Sequence, residues 1–425
     1  MKTVITVISL MVVGGLGVAH DAAAQDLAIV NARILDGKGG VIERGTVVVR
    51  GGKIVSVGAG AAPSGGQRID AEGRTVMPGF IDAHRHIAQG DPAEWLAKRA
   101  SAQMQEFLDA GFTTVLCAIC PDQAIELRDR FNAGMVKGPR LLVGQIIPLA
   151  RPAAPAGRGG GGGRGGDPAR FDTSRPPLRP TEPAGAISQA DTIKSVESVA
   201  SRKYDYIKTI ITTTPGGPEV DTLKLIVFEG KKRNVPTITH AVSVVDTLAA
   251  VDARPDVLVH TPHIGQLDDA QRKRIAGAGI PMTSTLQVFV PHFGADNTPL
   301  FRDAQPFPWN TLSSAGQGPV NARLLWEAGI SYGYGTDTTW APKESLADEL
   351  RSLSLVFSPR DISKIMGLGA ARSTLKQDIG TLEPGKVADI VLIDGNPLTN
   401  LNDLLDVIVT IKDGRIVADS RAGKR

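Results

Sequence analysis

The sequence predicts an α/β protein: a (β/α)₈ barrel carrying a small β-sandwich built from both ends of the chain. Three observations carry this. Short runs rich in valine and isoleucine fill 27–76, and the same texture returns in ADIVLIDGNP and DVIVTIKDGRIVADS near the other end. Between them, eight apolar strand-like runs alternate with amphipathic segments, the pattern of repeated β-then-α units. Histidines, a lysine and an aspartate recur at the ends of those runs, which is where a barrel keeps its chemistry. At 425 residues the chain exceeds what one hydrophobic core usually supports, so a large domain and a smaller one are expected.

The first residues, MKTVITVISLMVVGGLGVAHDAAAQD, place Lys2 before an apolar run and the small-residue site Ala22-Ala23-Ala24 before Gln25. This reads as a secretory signal peptide, residues 1–24, cleaved after Ala24. Its glycines 14, 15 and 17 and its length do not suit a membrane span. Export to a periplasm or the cell exterior follows as an expectation, with no stable membrane insertion of the mature chain.

Residues 25–76 and 380–425 are assigned to the sandwich. LAIVNARILDG, GTVVVRGGKIVSVG and RIDAEGRTVMPG alternate apolar and polar residues, with glycine or aspartate at each turn. Neither end offers enough strands for a stable sheet alone, so the two are expected to pair.

The barrel is assigned to 77–379. Its predicted strands are GFIDAHRH, FTTVLCAI, RLLVGQIIPL, YDYIKTIIT, VPTITHAV, DVLVHTP, IPMTSTLQV and ISYGYGTD. A doubly wound sheet is the alternative on pattern alone. Residues 151–187 break the rhythm: eight glycines lie between 157 and 166, a composition that cannot bury enough apolar surface to order itself. A mobile insertion after the third strand is expected, on the face where a lid would sit. Within 151–180, six arginines against Asp167 and Asp172 give a local +4, so the formal +3 of the chain leaves −1 for the rest. No basic surface for nucleic acid is implied. Two cysteines, Cys117 and Cys120, exclude a disulfide framework. Lying in a strand-like run, where i and i+3 face opposite sides, they are expected to be packing residues.

The site residues come next. PGFIDAHRH places His84 and His86 at i and i+2, on one face of a strand with Cα atoms roughly 6.5–7 Å apart. Alone, that spacing fits either a metal pair or two polar residues on a wet surface. The later strands weigh on the choice. Lys208 lies in YIKTIIT, His240 ends TITHA, His260 ends VLVHTPH and Asp337 ends YGTD. Four of the six histidines beyond the leader, with a lysine and an aspartate, fall at the same end of successive strands.

This motif set resembles the amidohydrolase superfamily, in particular its binuclear imidazolonepropionase-like and metal-dependent prolidase-like hydrolases. The resemblance covers nearly the whole mature chain, and DIGTLEPGKVADIVLIDGNP, residues 378–397, is its most specific stretch. It implies two divalent metal ions, zinc first, with manganese or nickel as alternatives. One would be held by His84, His86 and Asp337 and the other by His240 and His260. Carbon dioxide would convert Lys208 to a bridging carbamate. A hydroxide shared by the metals would attack an amide carbonyl, with Asp337 moving the proton. The implied substrate is a small amide, either a dipeptide of Xaa-Pro type or an N-acyl amino acid, and an oligomeric assembly is favoured over a monomer.

His263 and His292 are candidates for substrate contacts, His263 foremost. The sequence departs from the superfamily at Val242 and Val259, where relatives often carry histidine and glutamate. Competing expectations are a mononuclear deaminase or cyclic-amide hydrolase, which would have no need of Lys208, and a lactonase or phosphotriesterase on the same site. Outside enzymes, an exported metal-site binding protein remains.

Overall fold

The computed structural model describes residues 26–60, 65–151, 182–288, 290, 292–293, 299–300, 312–339 and 341–421. The leader and most of the Gly/Arg-rich insertion lie outside them. No helix among the described residues is long and apolar enough to cross a membrane.

The chain starts in a sheet: β1 (Leu27–Leu35), β2 (Val41–Arg50), β3 (Lys53–Gly58), β4 (Gln67–Asp70) and β5 (Thr75–Pro78). It then builds eight parallel strands in chain order: β6 (Phe80–Arg85), β7 (Phe112–Cys117), β8 (Arg140–Ile146), β9 (Tyr206–Ile210), β10 (Thr237–His240), β11 (Val257–Val259), β12 (Met282–Thr283) and, after a small hairpin of β13 (His292–Phe293) and β14 (Pro299–Leu300), β15 (Tyr332–Gly333). The chain returns through β16 (Ile390–Ile393), β17 (Val407–Lys412) and β18 (Arg415–Asp419), which join the first sheet when β16 pairs antiparallel with β5. Both chain ends therefore make one sheet, as expected.

Turn chemistry explains its hairpins. Gly51 and Gly52 between β2 and β3 have φ of +53° and +77°, and Asp413 and Gly414 between β17 and β18 have +50° and +75°. Two consecutive left-handed residues give the twist that suits a two-residue hairpin. The hairpin tips also meet, since a Cβ on Gly414 would lie 2.8 Å from Gly52 Cα. The sheet curls far enough for Ile54 of β3 to bond Lys386, N–H to carbonyl at 2.9 Å. Inside the curl lies a core of Ile29, Ile34, Val47, Val49, Ile390 and Val409, among others.

The barrel closes where β6 meets the segment after β15. Ala83 N–H donates to the Tyr334 carbonyl at 3.1 Å, and Thr336 N–H to that of His84 at 3.1 Å. Leu116, Leu142, Tyr206, Ile238, Val257 and Val259 pack in one small cluster inside the barrel, while a larger core fills the space between strands and helices. The last two strands are shorter than the sequence suggests. Thr285 and Asp337 adopt φ of +50° and +54°, conformations that end an extended ladder.

The expectation for the cysteines needs correction. Cys117 and Cys120 form a disulfide, with Cα atoms 5.9 Å apart. The strand ends at Cys117 and the chain turns at once, so three residues bring Cys120 back to the outer face. Alternation stops with the strand, and the opposite-face reading stops with it.

Arg140, at the start of β8, ties the two domains together. Its Nη1 contacts Asp389 Oδ2 and its Nη2 contacts Asp413 Oδ1, both at 2.6 Å. Asp389 is buried, and breaking a buried pair from one side leaves the other charge uncompensated. Arg140→Met is expected to destabilise the protein by about 3 kcal/mol, read as a lower urea midpoint. An unchanged midpoint would show that the interface stands without this arginine.

Candidate metal centre

The site is built at the C-terminal ends of the barrel strands. On β6 alternation aims Asp82 and His84 to one side, and His86 follows one residue past the strand end. Opposite them, Asp337 receives both histidines on Oδ1, with His84 Nε2 at 3.1 Å and His86 Nε2 at 2.8 Å. His260 Nε2 stands 3.8 Å from Oδ2 of the same carboxylate. The His84 and His260 rings are 5.1 Å apart, and those of His260 and His240 4.2 Å. Side chains from strands one, five, six and eight thus share one cluster. Within it, His84, His86 and Asp337 each offer a ligand atom, all within 4.8 Å of one another.

Strict alternation could not place His260 here. Val259 already packs into the barrel interior, so the next residue should face out. A φ of +77° turns His260 inward instead, and Asp337 uses the same left-handed region. Such conformations cost on the order of 1–3 kcal/mol each and gather at functional sites.

Lys208 completes the set from β9. It is buried, and its Nζ has no hydrogen-bond partner among the described residues. Burial is the main cause that draws its pKa down to about 7, with Asp337 opposing. Burial, then the Lys208 charge, takes His84 to about 4 and His240 to about 3. His260 falls well below its usual value through burial and then His240. Burial also works against the charge of Asp337, but His84, His86 and His260 around it hold the carboxyl well below the usual range. The cluster therefore offers neutral imidazole nitrogens, one carboxylate and an amine that sheds its proton near neutrality.

That donor set fits a divalent metal. Neutral imidazoles and a carboxylate suit zinc and its neighbours, and a bare ammonium among them would not. His84 Nδ1 and Lys208 Nζ are buried polar atoms without hydrogen-bond partners among the described residues, the kind of atom that an ion or water satisfies.

His263 sits in the turn after β11, buried, with Nδ1 facing the Thr261 carbonyl at 3.3 Å. Burial takes its pKa to about 3. The His292 side chain lies outside the described residues. Val242 uses its carbonyl to hold the turn, accepting from His263 N–H at 3.0 Å and Ile264 N–H at 3.1 Å.

Several supporting residues were not singled out by the sequence. Asp82 Oδ1 accepts from His84 N–H at 3.2 Å and Thr336 N–H at 3.1 Å, and its Oδ2 from the Thr336 hydroxyl at 2.7 Å. Its spacing, two before His84, was a signal that alternation could have used. Arg85 Nη1 donates to Thr336 Oγ1 at 2.9 Å while the guanidinium stacks over Phe107 at 5.1 Å. Thr285 Oγ1 lies 2.7 Å from His260 Nδ1, so the other ring nitrogen is the one presented to the cluster. No sequence pattern pointed to it.

A model of the amidohydrolase family matches residues 75–417. The N-acyl-D-aspartate deacylase of Alcaligenes xylosoxydans xylosoxydans is 41% identical over 101 residues, 24% of this chain and 19% of that protein. An adenine deaminase of Escherichia coli O1:K1 / APEC is 40% identical over 103 residues, 24% of this chain and 16% of that protein. The match spans less than a fifth of either relative. Among solved structures, a Xaa-Pro dipeptidase with methionine bound in its active site has a TM-score of 0.71 at 20% identity, covering 92% of this chain and 100% of that one. The A. niger ochratoxinase has a TM-score of 0.71 at 19% identity, covering 93% and 96%. At these identities the likeness is one of fold.

The buried lysine yields a prediction. An ammonium penalised only in the folded state costs stability below its unfolded pKa, and the cost shrinks as the folded group loses its proton. Metal-free protein should therefore gain stability as pH rises from about 7 towards 10.5. Lys208→Met removes the penalty and should stabilise the metal-free chain by about 3 kcal/mol near neutrality. Urea midpoints across that pH range, in chelator, check both statements.

Proposed function

Because the chain belongs to the amidohydrolase family, we propose that it is an exported, metal-dependent hydrolase of an amide bond in a small molecule. The convergence of four histidines and Asp337 around a buried, partnerless Lys208 carries this reading. His84, His86 and Asp337 would hold one divalent metal, and His240 and His260 a second, zinc being the first choice. Metals bound there supply Lewis acidity to a substrate carbonyl and lower the pKa of water.

The chain's own groups do the rest. Lys208, neutral for part of the time near pH 7, can add carbon dioxide at Nζ and release one proton. The carbamate would replace an unsolvated ammonium with a single negative charge shared by two oxygens. Asp337 turns Oδ1 to His84 and His86, which leaves Oδ2 the freer oxygen. It accepts a proton from the attacking water there and returns it to the leaving amine, so water and amide become acid and amine. His263, in the turn after β11, would be the group that contacts a polar atom of the substrate.

The substrate class we infer is a dipeptide of Xaa-Pro type or an N-acyl amino acid. The fold shared with a Xaa-Pro dipeptidase and the stretch shared with an N-acyl-D-aspartate deacylase support it. A Cys117–Cys120 disulfide supports export, since such bonds persist in oxidising compartments. The leader sequence supports it as well.

A second reading is a mononuclear deaminase or cyclic-amide hydrolase, favoured by the compactness of the His84, His86 and Asp337 trio. Metal content per chain, measured with bicarbonate present, separates the two. The binuclear reading expects two metals, turnover in a panel of dipeptides and N-acyl amino acids, and loss of about 100-fold or more in kcat/KM for Lys208→Ala. One metal per chain, with activity surviving Lys208→Ala, would transfer the conclusion to the mononuclear enzyme.

A further inference from the structure

One more titratable group is buried behind the site and has no part in the chemistry above. Glu349, on the helix Pro342–Leu353, is fully buried. Its Oε1 accepts from the Ser284 hydroxyl at 2.5 Å and from Leu286 N–H at 3.1 Å, and its Oε2 from Gln287 N–H at 2.8 Å. None of these partners is a cation. Burial raises its carboxyl to about 7 against these donors. A carboxylate is an expensive way to fill space beside a barrel wall, so what it holds matters.

It holds the turn 284–287, directly after β12. Thr285, within that turn, has φ +50°, a conformation that a β-branched residue avoids. All three bonds to Glu349 come from residues flanking Thr285, so the carboxylate sits where the backbone most needs holding. From this turn two arms reach the site. The Thr285 hydroxyl is 2.7 Å from His260 Nδ1. Gln287 Nε2 donates at 3.1 Å to the carbonyl of Thr336, the residue before Asp337. Thr285 N–H also bonds the Gly335 carbonyl at 3.1 Å.

We propose that Glu349 is a positioning residue that clamps the 284–287 turn, so that Thr285 holds the His260 imidazole with Nε2 towards Asp337 and Gln287 steadies the strand end carrying Asp337. One consequence, for metal affinity, rests on the reading of His260 as a ligand. The orientation of the ring does not.

The test uses the full mature chain. Glu349→Gln keeps the size but places an N–H₂ among three donors. Glu349→Asp keeps the charge and withdraws it by one methylene, and serves if the amide variant does not fold. Folded variants are expected to bind Co²⁺ about ten-fold more weakly than wild type, with an altered visible band. Thr285→Val should behave the same way, and Thr285→Ser should restore wild-type values. In metal-free protein labelled with ¹⁵N-histidine, the His260 ring resonances of the Glu349 variants should move towards those of Thr285→Val. Wild-type Co²⁺ affinity, band and resonances in a Glu349 variant would overturn the proposal, whatever its melting temperature, and leave Glu349 a structural group. If wild type takes up no Co²⁺, the ligand reading fails by itself. The metal-free resonances then decide: moved, the clamp stands; unmoved, it falls.

Discussion

The seam between the first and last strands of the barrel is the constraint on which the rest of the site depends. Asp82 takes the backbone and hydroxyl of Thr336, and Asp337 N–H bonds the His84 carbonyl at 2.7 Å. A buried carboxylate would be costly without such donors; with them, it locks together two segments separated by about 250 residues of chain. His84, His86 and Asp337 meet because this seam closes. If it opened, the first and last barrel strands would part and Asp337 would leave His84 and His86 at one stroke.

Around that seam, stability and chemistry pull in opposite directions. The left-handed backbones of His260, Thr285 and Asp337 and the unsolvated Lys208 each destabilise the metal-free fold. They persist because the neighbouring structure over-determines them: Thr285 is flanked by the bonds to Glu349, and Asp337 by the seam. The apolar barrel interior below and the joined domains further away supply the stability that this mouth gives up. Arg140 belongs to that second group, holding the sheet to the barrel at the start of β8.

The departures at Val242 and Val259 take on meaning in this setting. Val259 belongs to the packed interior, and Val242 offers only its carbonyl to the turn that carries His263. Apolar packing therefore stands at the sixth-strand position just before His260.

Much of this was legible in the amino-acid order, because it depends on local rules. Period-two alternation marked the sandwich strands, with glycine or aspartate at their turns; apolar runs followed by amphipathic segments marked the barrel, and the placement of His84, His86, Lys208, His240, His260 and Asp337 at strand ends marked the site. What the order could not give is where a rule stops. Alternation put Cys117 and Cys120 on opposite faces, and a turn at the strand end brought them together. The same rule would have turned His260 outward. Glu349 and Thr285 carry no motif at all, for their roles exist only once a helix after the eighth strand packs against a turn after the seventh. Sequence by itself determined the fold, the family and the candidate ligands, since these follow from spacing along the chain. Tertiary structure alone decided which nitrogen of His260 faces Asp337, which carboxylates brace the site and which lysine sheds its proton, because burial and long-range hydrogen bonds set them.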